Sequence, residues 1–492
     1  MSHTYQQYES YLQNIADVKY ASAVLQWDQE TYLPPQGQQA RGRQITTLGD
    51  IAHQQGTSPT LSLLLQSLAQ QPGLTVQQAA NVLQSTSDYD RNIKLPLPFV
   101  STLSKAINTS YHAWVQAKQQ HNFALFEQPL QAIIELKRQE ADYLGYTHHP
   151  YDALLNDYDK GLTTLTVDKL FAHLTAELTP LLQKIMAKPP VNDNFLKQHF
   201  DKDAQWQLGL AVLKQMNFNF NAGRQDVSEH PFTTSFGSTD VRLTTRVDAN
   251  DLCNMLWSCI HEGGHGLYEQ GLPASQYGLP LGEYCSLSIH ESQSRLWENN
   301  VGRSLSFWQH NFQLLQQYFP TQCEQFDIQQ FYKAINKVTP SLIRTEADEI
   351  TYHFHVIIRY QIEKLILEGT IQAKDIPAYW NELYKKHLGV VPQHDAEGCL
   401  QDVHWSHGSF GYFATYSIGS LYAAQFYQAI LLAHPTVPAQ LEQGNTRTIW
   451  QWLQQNIYKY GRQYSSADLC KLATGQVLSI QPFVQYAQAK WV

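Results

Sequence analysis

Along most of the chain the apolar positions recur three and four residues apart, the spacing of helices that bury one face. Leu208 to Met216 and Phe354 to Leu367 show this rhythm, and short groups of Pro, Gly or Asn separate the runs. The pattern predicts a mainly α protein. One stretch departs from it. Phe232 to Val247 is rich in Thr and Val, alternates at Val241, Leu243, Thr245 and Val247, and carries Gly237-Ser238 as a turn, which predicts a β-hairpin. An exposed edge of that hairpin could pair with an extended peptide, or the hairpin could be a small structural sheet. No repeat of fixed period is present. The Pro189-Pro190 to Asn194 stretch is the expected break between an N-terminal helical lobe of about 1–190 and a catalytic lobe of about 191–492, together one domain.

Composition narrows the function classes. A chain of 492 residues, 43% hydrophobic and 12% aromatic, buries a large core. Only 16% of residues are charged and the formal net charge is -9, so no basic field exists to neutralise phosphates or anionic lipids. Nucleic-acid and membrane-surface roles are therefore not expected. Met1 to Leu12 is polar and tyrosine-rich, without the basic start and apolar centre of a secretory signal, and a cytoplasmic location is expected. The six cysteines (Cys253, Cys259, Cys285, Cys323, Cys399, Cys470) form no Cys-x-x-Cys pair and read as reduced thiols.

The chemistry begins at His261-Glu262-Gly263-Gly264-His265. On a helix, residues four apart share a face about one turn apart, so both imidazoles can reach one zinc ion while Glu262 stands beside it as a general base for peptide hydrolysis. Two central glycines disfavour a helix, but they also remove side chains where another backbone or a substrate approaches. A catalytic zinc needs a third protein ligand. Glu269, Glu283 and Glu291 are the acidic candidates, and Glu291 is preferred because it can lie on a following helix packed antiparallel. His290 beside it points about 100° away and is not expected to bind the same ion. Arg, not an acid, occupies position 295, so the partner that orients a ligating histidine must come from elsewhere.

These residues resemble the carboxypeptidase Taq family of zinc metallocarboxypeptidases. The likeness rests on Asp240-Val241-Arg242-Leu243-Thr244, the His261 to His265 motif, His290-Glu291-Ser292-Gln293, Ile343-Arg344-Thr345-Glu346-Ala347-Asp348, and Gly398-Cys399-Leu400-Gln401-Asp402-Val403-His404-Trp405. Trp27-Asp28 with Thr31 and Pro34 extends it toward the N-terminus, so it covers essentially the whole chain. The resemblance implies a saddle-shaped helical body with a deep central groove, usually a homodimer, that removes single residues from the C-termini of peptides. It also implies His261, His265 and Glu291 as metal ligands, with Glu262 as base. The metal is expected to be Zn2+, with Co2+ or Mn2+ as substitutes. A zinc endopeptidase or a dipeptide-releasing peptidase on the same helix is the nearest alternative.

Other residues take roles from the chemistry of a carboxypeptidase. A planar guanidinium suits a terminal carboxylate, which makes Arg344 the first candidate and Arg242 its rival. Their structural alternatives are an ion pair of Arg344 with Asp348 and a cross-strand pair of Arg242 with an acid. An oxyanion needs a donor, and the aromatic run Trp405, Phe410, Tyr412, Phe413, Tyr416 offers two phenols one turn apart. Tyr412 is the first choice and Tyr416 is taken as substrate-binding. His404 is read as a donor to substrate or intermediate, with a core histidine as the alternative.

Overall fold

A computed structural model describes residues 3–492. The chain forms two compact units, each assembled from separated segments. Met1–Ile93, Val191–Ile335 and Tyr422–Val477 make the first; Lys94–Pro190, Asn336–Leu421 and Leu478–Val492 make the second. One boundary between the units falls after Pro190. The expected contiguous lobes, 1–190 and 191–492, are nonetheless replaced by interleaved ones, because the first 93 residues pack with the segment that begins at Val191.

Helices dominate both units. In the first, the helix Lys202–Gln215 is capped by Asp201, whose side chain accepts from the Ala204 N–H at 2.9 Å. Its Leu208, Val212 and Leu213 are fully buried, as are Met255 and Leu256 on the helix Leu252–Gly271. Removing such a side chain from water stabilises the fold by about 1.5–3 kcal/mol. Asp251 caps that second helix through the Cys253 N–H. In the second unit the helix Thr351–Glu368 is buried on nearly every side, with His353, His355, Arg359 and Glu363 all inaccessible to solvent. A helix surrounded in this way is the centre of its unit.

The predicted hairpin is present. Strand β2 (Thr233–Ser235) runs antiparallel to β3 (Val241–Thr245), with Thr233 opposite Leu243 and Ser235 opposite Val241. Gly237 has φ 110° in the turn, a conformation that other residues resist. A further strand, β1 (Gly223–Val227), adds in parallel to β3 and completes a three-stranded sheet in the order β1-β3-β2. Among the described residues no helix is long and apolar enough to cross a membrane. None of the six cysteines is joined in a disulfide.

Candidate metal centre and neighbouring clusters

His261 and His265 stand on the helix Leu252–Gly271, and Glu291 on the helix Leu287–Arg295, which Ser286 caps through the Ile289 N–H. Contacts fix how the two helices lie. His265 meets His290, Gly264 meets Gln293 and Ser294, and His261 meets Glu298, so the numbers fall along one helix as they rise along the other. The packing is antiparallel, as expected for Glu291. Gly264 makes the approach possible: a Cβ there would lie 2.6 Å from the Gln293 carbonyl oxygen and 2.7 Å from the Ser294 Cα. Gly263 serves the opposite face, where a Cβ would lie 2.6 Å from Leu213 Cδ2.

His261, His265 and Glu291 form a group able to hold a metal ion. The Glu291 Oε2 atom is 3.6 Å from His261 Nε2 and 3.5 Å from His265 Nε2. Ligands at about 2.1 Å in a tetrahedron are separated by about 3.4 Å, so the three side chains are arranged for such an ion. Both imidazoles are held in the tautomer that leaves Nε2 free. His261 Nδ1–H donates to Glu298 Oε2 at 2.9 Å, and His265 Nδ1–H donates to the His290 carbonyl at 3.1 Å. Burial pushes the His265 pKa down to about 3. Burial also disfavours a charged His261, but Glu291 and the hydrogen bond to Glu298 outweigh it and leave that ring above its usual value.

The carboxylates have their own supports. Arg295 Nε donates to Glu291 Oε1 at 2.6 Å, and Ser294 Oγ donates to Oε2 at 3.1 Å. Burial opposes an ionised Glu291, yet Arg295 and the two histidines hold its pKa well below the carboxylate range. Glu298 receives Arg303 at 3.0 Å as well as His261, and the Arg303 guanidinium lies 4.1 Å over the Trp257 ring. Glu298 belongs to a π-helical turn, Leu296–Gly302, a local widening often found at functional sites. Glu262 receives the Thr233 hydroxyl of β2 at 2.6 Å. Burial pushes the Glu262 pKa up, in the direction that suits a base near neutral pH.

The discarded candidates have other partners. Glu269 pairs with His290 Nε2 at 2.9 Å, and Glu283 pairs with Arg462 at 2.6 Å. His290 stacks on His265 with ring centroids 4.3 Å apart, so it supports a ligand and does not join the ligand group. Arg242 lies on β3 with 18% of its side chain exposed, paired at 2.9 Å with Asp240, which directly precedes the strand, and stacked over Trp27 at 4.3 Å. The cross-strand partner considered for it is thus replaced by a neighbour two residues away.

In the second unit Arg344 is buried and its Nε and Nη2 donate to Asp402 Oδ1 at 3.0 and 2.9 Å. Asp348, the acid weighed as its structural alternative, caps the helix Thr351–Glu368 through the Ile350 and Thr351 N–H groups. Asp402 also accepts from Arg359 Nε at 2.6 Å. Burial alone would raise its pKa, but the two guanidiniums pull it far below the carboxylate range. His404 Nε2 lies 3.2 Å from the Tyr416 hydroxyl, and burial lowers the pKa of this ring to about 3, keeping it neutral. Trp405, Phe410 and Phe413 are core residues, whereas Tyr412 and Tyr416 keep partial exposure. Their rings are 5.2 Å apart.

Residues that the motif reading did not single out therefore complete the metal group: Thr233, Ser294, Glu298 and Arg303, with Arg295 as a clamp on Glu291. Glu298 stands seven residues after Glu291, two helical turns along, a spacing through which the sequence could have shown it.

An antiparallel helix pair bearing two histidines and a glutamate, with a buried carboxylate beside them, defines the class of metal-dependent peptide hydrolases. Comparison with known proteins then fixes the family. The model of the carboxypeptidase Taq (M32) metallopeptidases matches residues 7–491, and the chain belongs to that family. Carboxypeptidase 1 of Bacillus subtilis is 37% identical over 99% of this chain and 98% of its own. The solved structure of an M32 carboxypeptidase from Deinococcus radiodurans superposes with a TM-score of 0.98 at 37% identity, covering 100% of this chain and 99% of that one. A second solved structure, of a protein called CHT, has a TM-score of 0.98 at 52% identity and covers 100% of both chains. The protein is a metallocarboxypeptidase that uses a divalent metal.

Proposed function

We propose that the chain removes single residues from the C-termini of peptides with broad specificity, using zinc held by His261, His265 and Glu291. The observation that carries this is the candidate ligand group itself: Glu291 at 3.6 and 3.5 Å from the two histidine Nε2 atoms, with the second donor or acceptor atom of each side chain tied down. A zinc ion there supplies Lewis acidity, polarising the scissile carbonyl and lowering the pKa of water. Glu262 takes the proton of the attacking water and delivers it to the departing amine, with the Thr233 hydroxyl holding its carboxylate in place. Cobalt or manganese would serve as substitutes, since the donors are imidazole and carboxylate.

Strand β2 offers a peptide rail. In the ladder, Phe232 accepts from the Thr244 N–H and Phe236 donates to Asp240, so Thr234 is the next inward residue and the backbone groups of Thr233 and Ser235 face the open edge. An extended substrate pairing there would be aligned with the strand that supports Glu262. Tyr412 and His404 are assigned as donors to the developing oxyanion, and Tyr416 as a substrate contact that also orients His404. Of the two carboxylate receptors, Arg242 is the more available: it is partly exposed and its partner Asp240 is half-solvated, whereas Arg344 is buried against Asp402. Arg344 would have to exchange that bond for a substrate. Six cysteines without a disulfide accord with a cytoplasmic enzyme, and the family resemblance suggests a homodimer.

The test offers one peptide with a free and with an amidated C-terminus, with and without a chelator, and follows the products by mass spectrometry. Stepwise, chelator-sensitive loss of single residues from the free peptide alone is expected. Internal cuts in both peptides would establish an endopeptidase and remove the carboxylate-binding roles; loss of residue pairs would establish a dipeptide-releasing enzyme.

A further inference from the structure

Glu363 is a fully buried acid to which the reaction as described assigns no part. It sits near the end of the helix Thr351–Glu368 and receives three donors. Trp405 Nε1–H donates to Oε1 at 2.8 Å; the Gly411 N–H donates to Oε2 at 3.0 Å; the Tyr151 hydroxyl also donates to Oε2. Two of those donors flank a short connection. Trp405 directly follows His404 and lies in the tight turn His404–His407, while Gly411 directly precedes Tyr412 and the helix Phe413–Ala433. One carboxylate thus ties down both ends of the segment that separates His404 from Tyr412.

The segment between them opens with a hydrogen-bonded turn, in which the Gly408 N–H donates to the Trp405 carbonyl at 3.1 Å and the Ser409 N–H to the His404 carbonyl at 2.9 Å. Gly408 and Gly411 have φ of 69° and 97°, left-handed backbone that glycine adopts without strain. At Gly411 a Cβ would lie 2.8 Å from the Leu154 carbonyl carbon and oxygen, so the loop is pressed against the helix Pro150–Tyr158 that carries Tyr151. One turn before Glu363, Arg359 grips Asp402 on the other side of His404. The central helix therefore holds the His404 backbone from both directions. The Glu363 contact extends this hold to Gly411, the residue before Tyr412.

We infer that Glu363 is a positioning residue for turnover, setting the placement of His404 and Tyr412 by bracing the loop between them through Trp405 and Gly411. This inference rests on the reading of His404 and Tyr412 as donors to the reaction. All three partners are donors, which an ionised carboxylate satisfies and a carboxamide cannot, because its NH2 would face another N–H. The groups facing it are Tyr151 and Tyr158 from the packed helix and Arg359 from its own. Burial pushes the Glu363 pKa up to about 7, so its state changes within the working range of a neutral-pH enzyme.

Two readouts test this. The Trp405 indole N–H, identified by its loss in W405F, is followed by NMR on protein labelled with 15N-tryptophan from about pH 5.5 to about pH 8.5. Its signal is expected to move with a midpoint near 7 in the native protein and to be pH-independent in E363Q. In the same metal-loaded preparations, E363Q is expected to lower kcat about 10- to 100-fold with KM nearly unchanged, the scale on which small misplacements act. Y151F removes one donor, and should raise the Trp405 midpoint and lower kcat less. H404A and Y412F serve as the control on the underlying reading. If they abolish turnover while folded E363Q keeps native kcat, the positioning role is overturned. If E363Q does not fold, Y151F decides: a displaced Trp405 signal with native kcat overturns it equally. If H404A and Y412F keep native turnover, the assignment of those residues fails first, and the inference falls with it.

Discussion

At the scale of single residues, the metal group is defined as much by its supports as by its ligands. A neutral His261 can present either nitrogen, and the Glu298 carboxylate selects the tautomer by accepting the Nδ1 proton at 2.9 Å. Glu298→Gln keeps the volume but replaces a charged acceptor with an amide that can turn its NH2 toward the ring. Its metal affinity, measured by competition with a chromophoric chelator, is expected to fall about 10- to 100-fold. Unchanged affinity would mean that His261 is oriented by packing alone. The proposed ligands come from the sequence, because His-x-x-x-His on a helix places both rings on one face, and the structure brings Glu291 beside them. Glu298 is less legible. The natural place to look, one turn beyond Glu291, holds Arg295, which clamps Glu291 instead; the acid comes a further turn on, in a π-helical widening that no pattern of single residues announces.

At the scale of elements, the two adjoining glycines in the motif are explained by what crosses them. Helix propensity alone says that Gly264→Ala should stabilise the helix by about 1 kcal/mol. Here the added Cβ would meet the Gln293 backbone oxygen at 2.6 Å, and backbone cannot step aside as a side chain can. Gly264→Ala is therefore expected to destabilise by about 1–3 kcal/mol, through a lower melting temperature, and to weaken metal retention because Glu291 moves with the displaced helix. A variant that is more stable and binds metal normally would contradict the close packing. The sheet shows the limits of pattern reading. Strands β2 and β3 follow from alternating Thr and Val, but β1 reads Gly-Arg-Gln-Asp-Val, polar throughout its middle. Two of its buried polar side chains find donors: the Gln225 carbonyl oxygen accepts from the Cys259 thiol, and Asp226 accepts from Arg224 and Tyr32. Such satisfaction depends on residues far away in the chain, so periodicity does not reveal it.

At the scale of the whole molecule, the helical class and the family follow from local signals distributed along the chain, whereas the division into units does not. A unit boundary falls after Pro190, but which segments join on either side is decided by long-range burial. The central helix of the second unit carries a consequence for stability. Glu363 has its pKa raised from 4.5 to about 7 because burial disfavours its charge, despite its three hydrogen bonds. Between those values the folded chain holds a proton that the unfolded chain has lost, so this group's contribution is fully present below about pH 4.5 and is lost as pH rises through about 7. At about 1.4 kcal/mol per pH unit the difference is about 3 kcal/mol. Denaturant unfolding of the native protein and of E363Q should accordingly diverge between about pH 5 and about pH 8, the native protein losing stability relative to the variant. Parallel profiles would show that Glu363 does not titrate in this range.

The central claim is that His261, His265 and Glu291 hold the metal while Glu262 moves the proton. The direct measurement is on Glu262→Gln: metal content of the purified protein together with turnover of a free-C-terminal peptide. The account predicts full metal occupancy with turnover reduced at least about 1,000-fold, the scale of a lost general base. Native turnover with metal in place would contradict it, since the proton would then have another carrier.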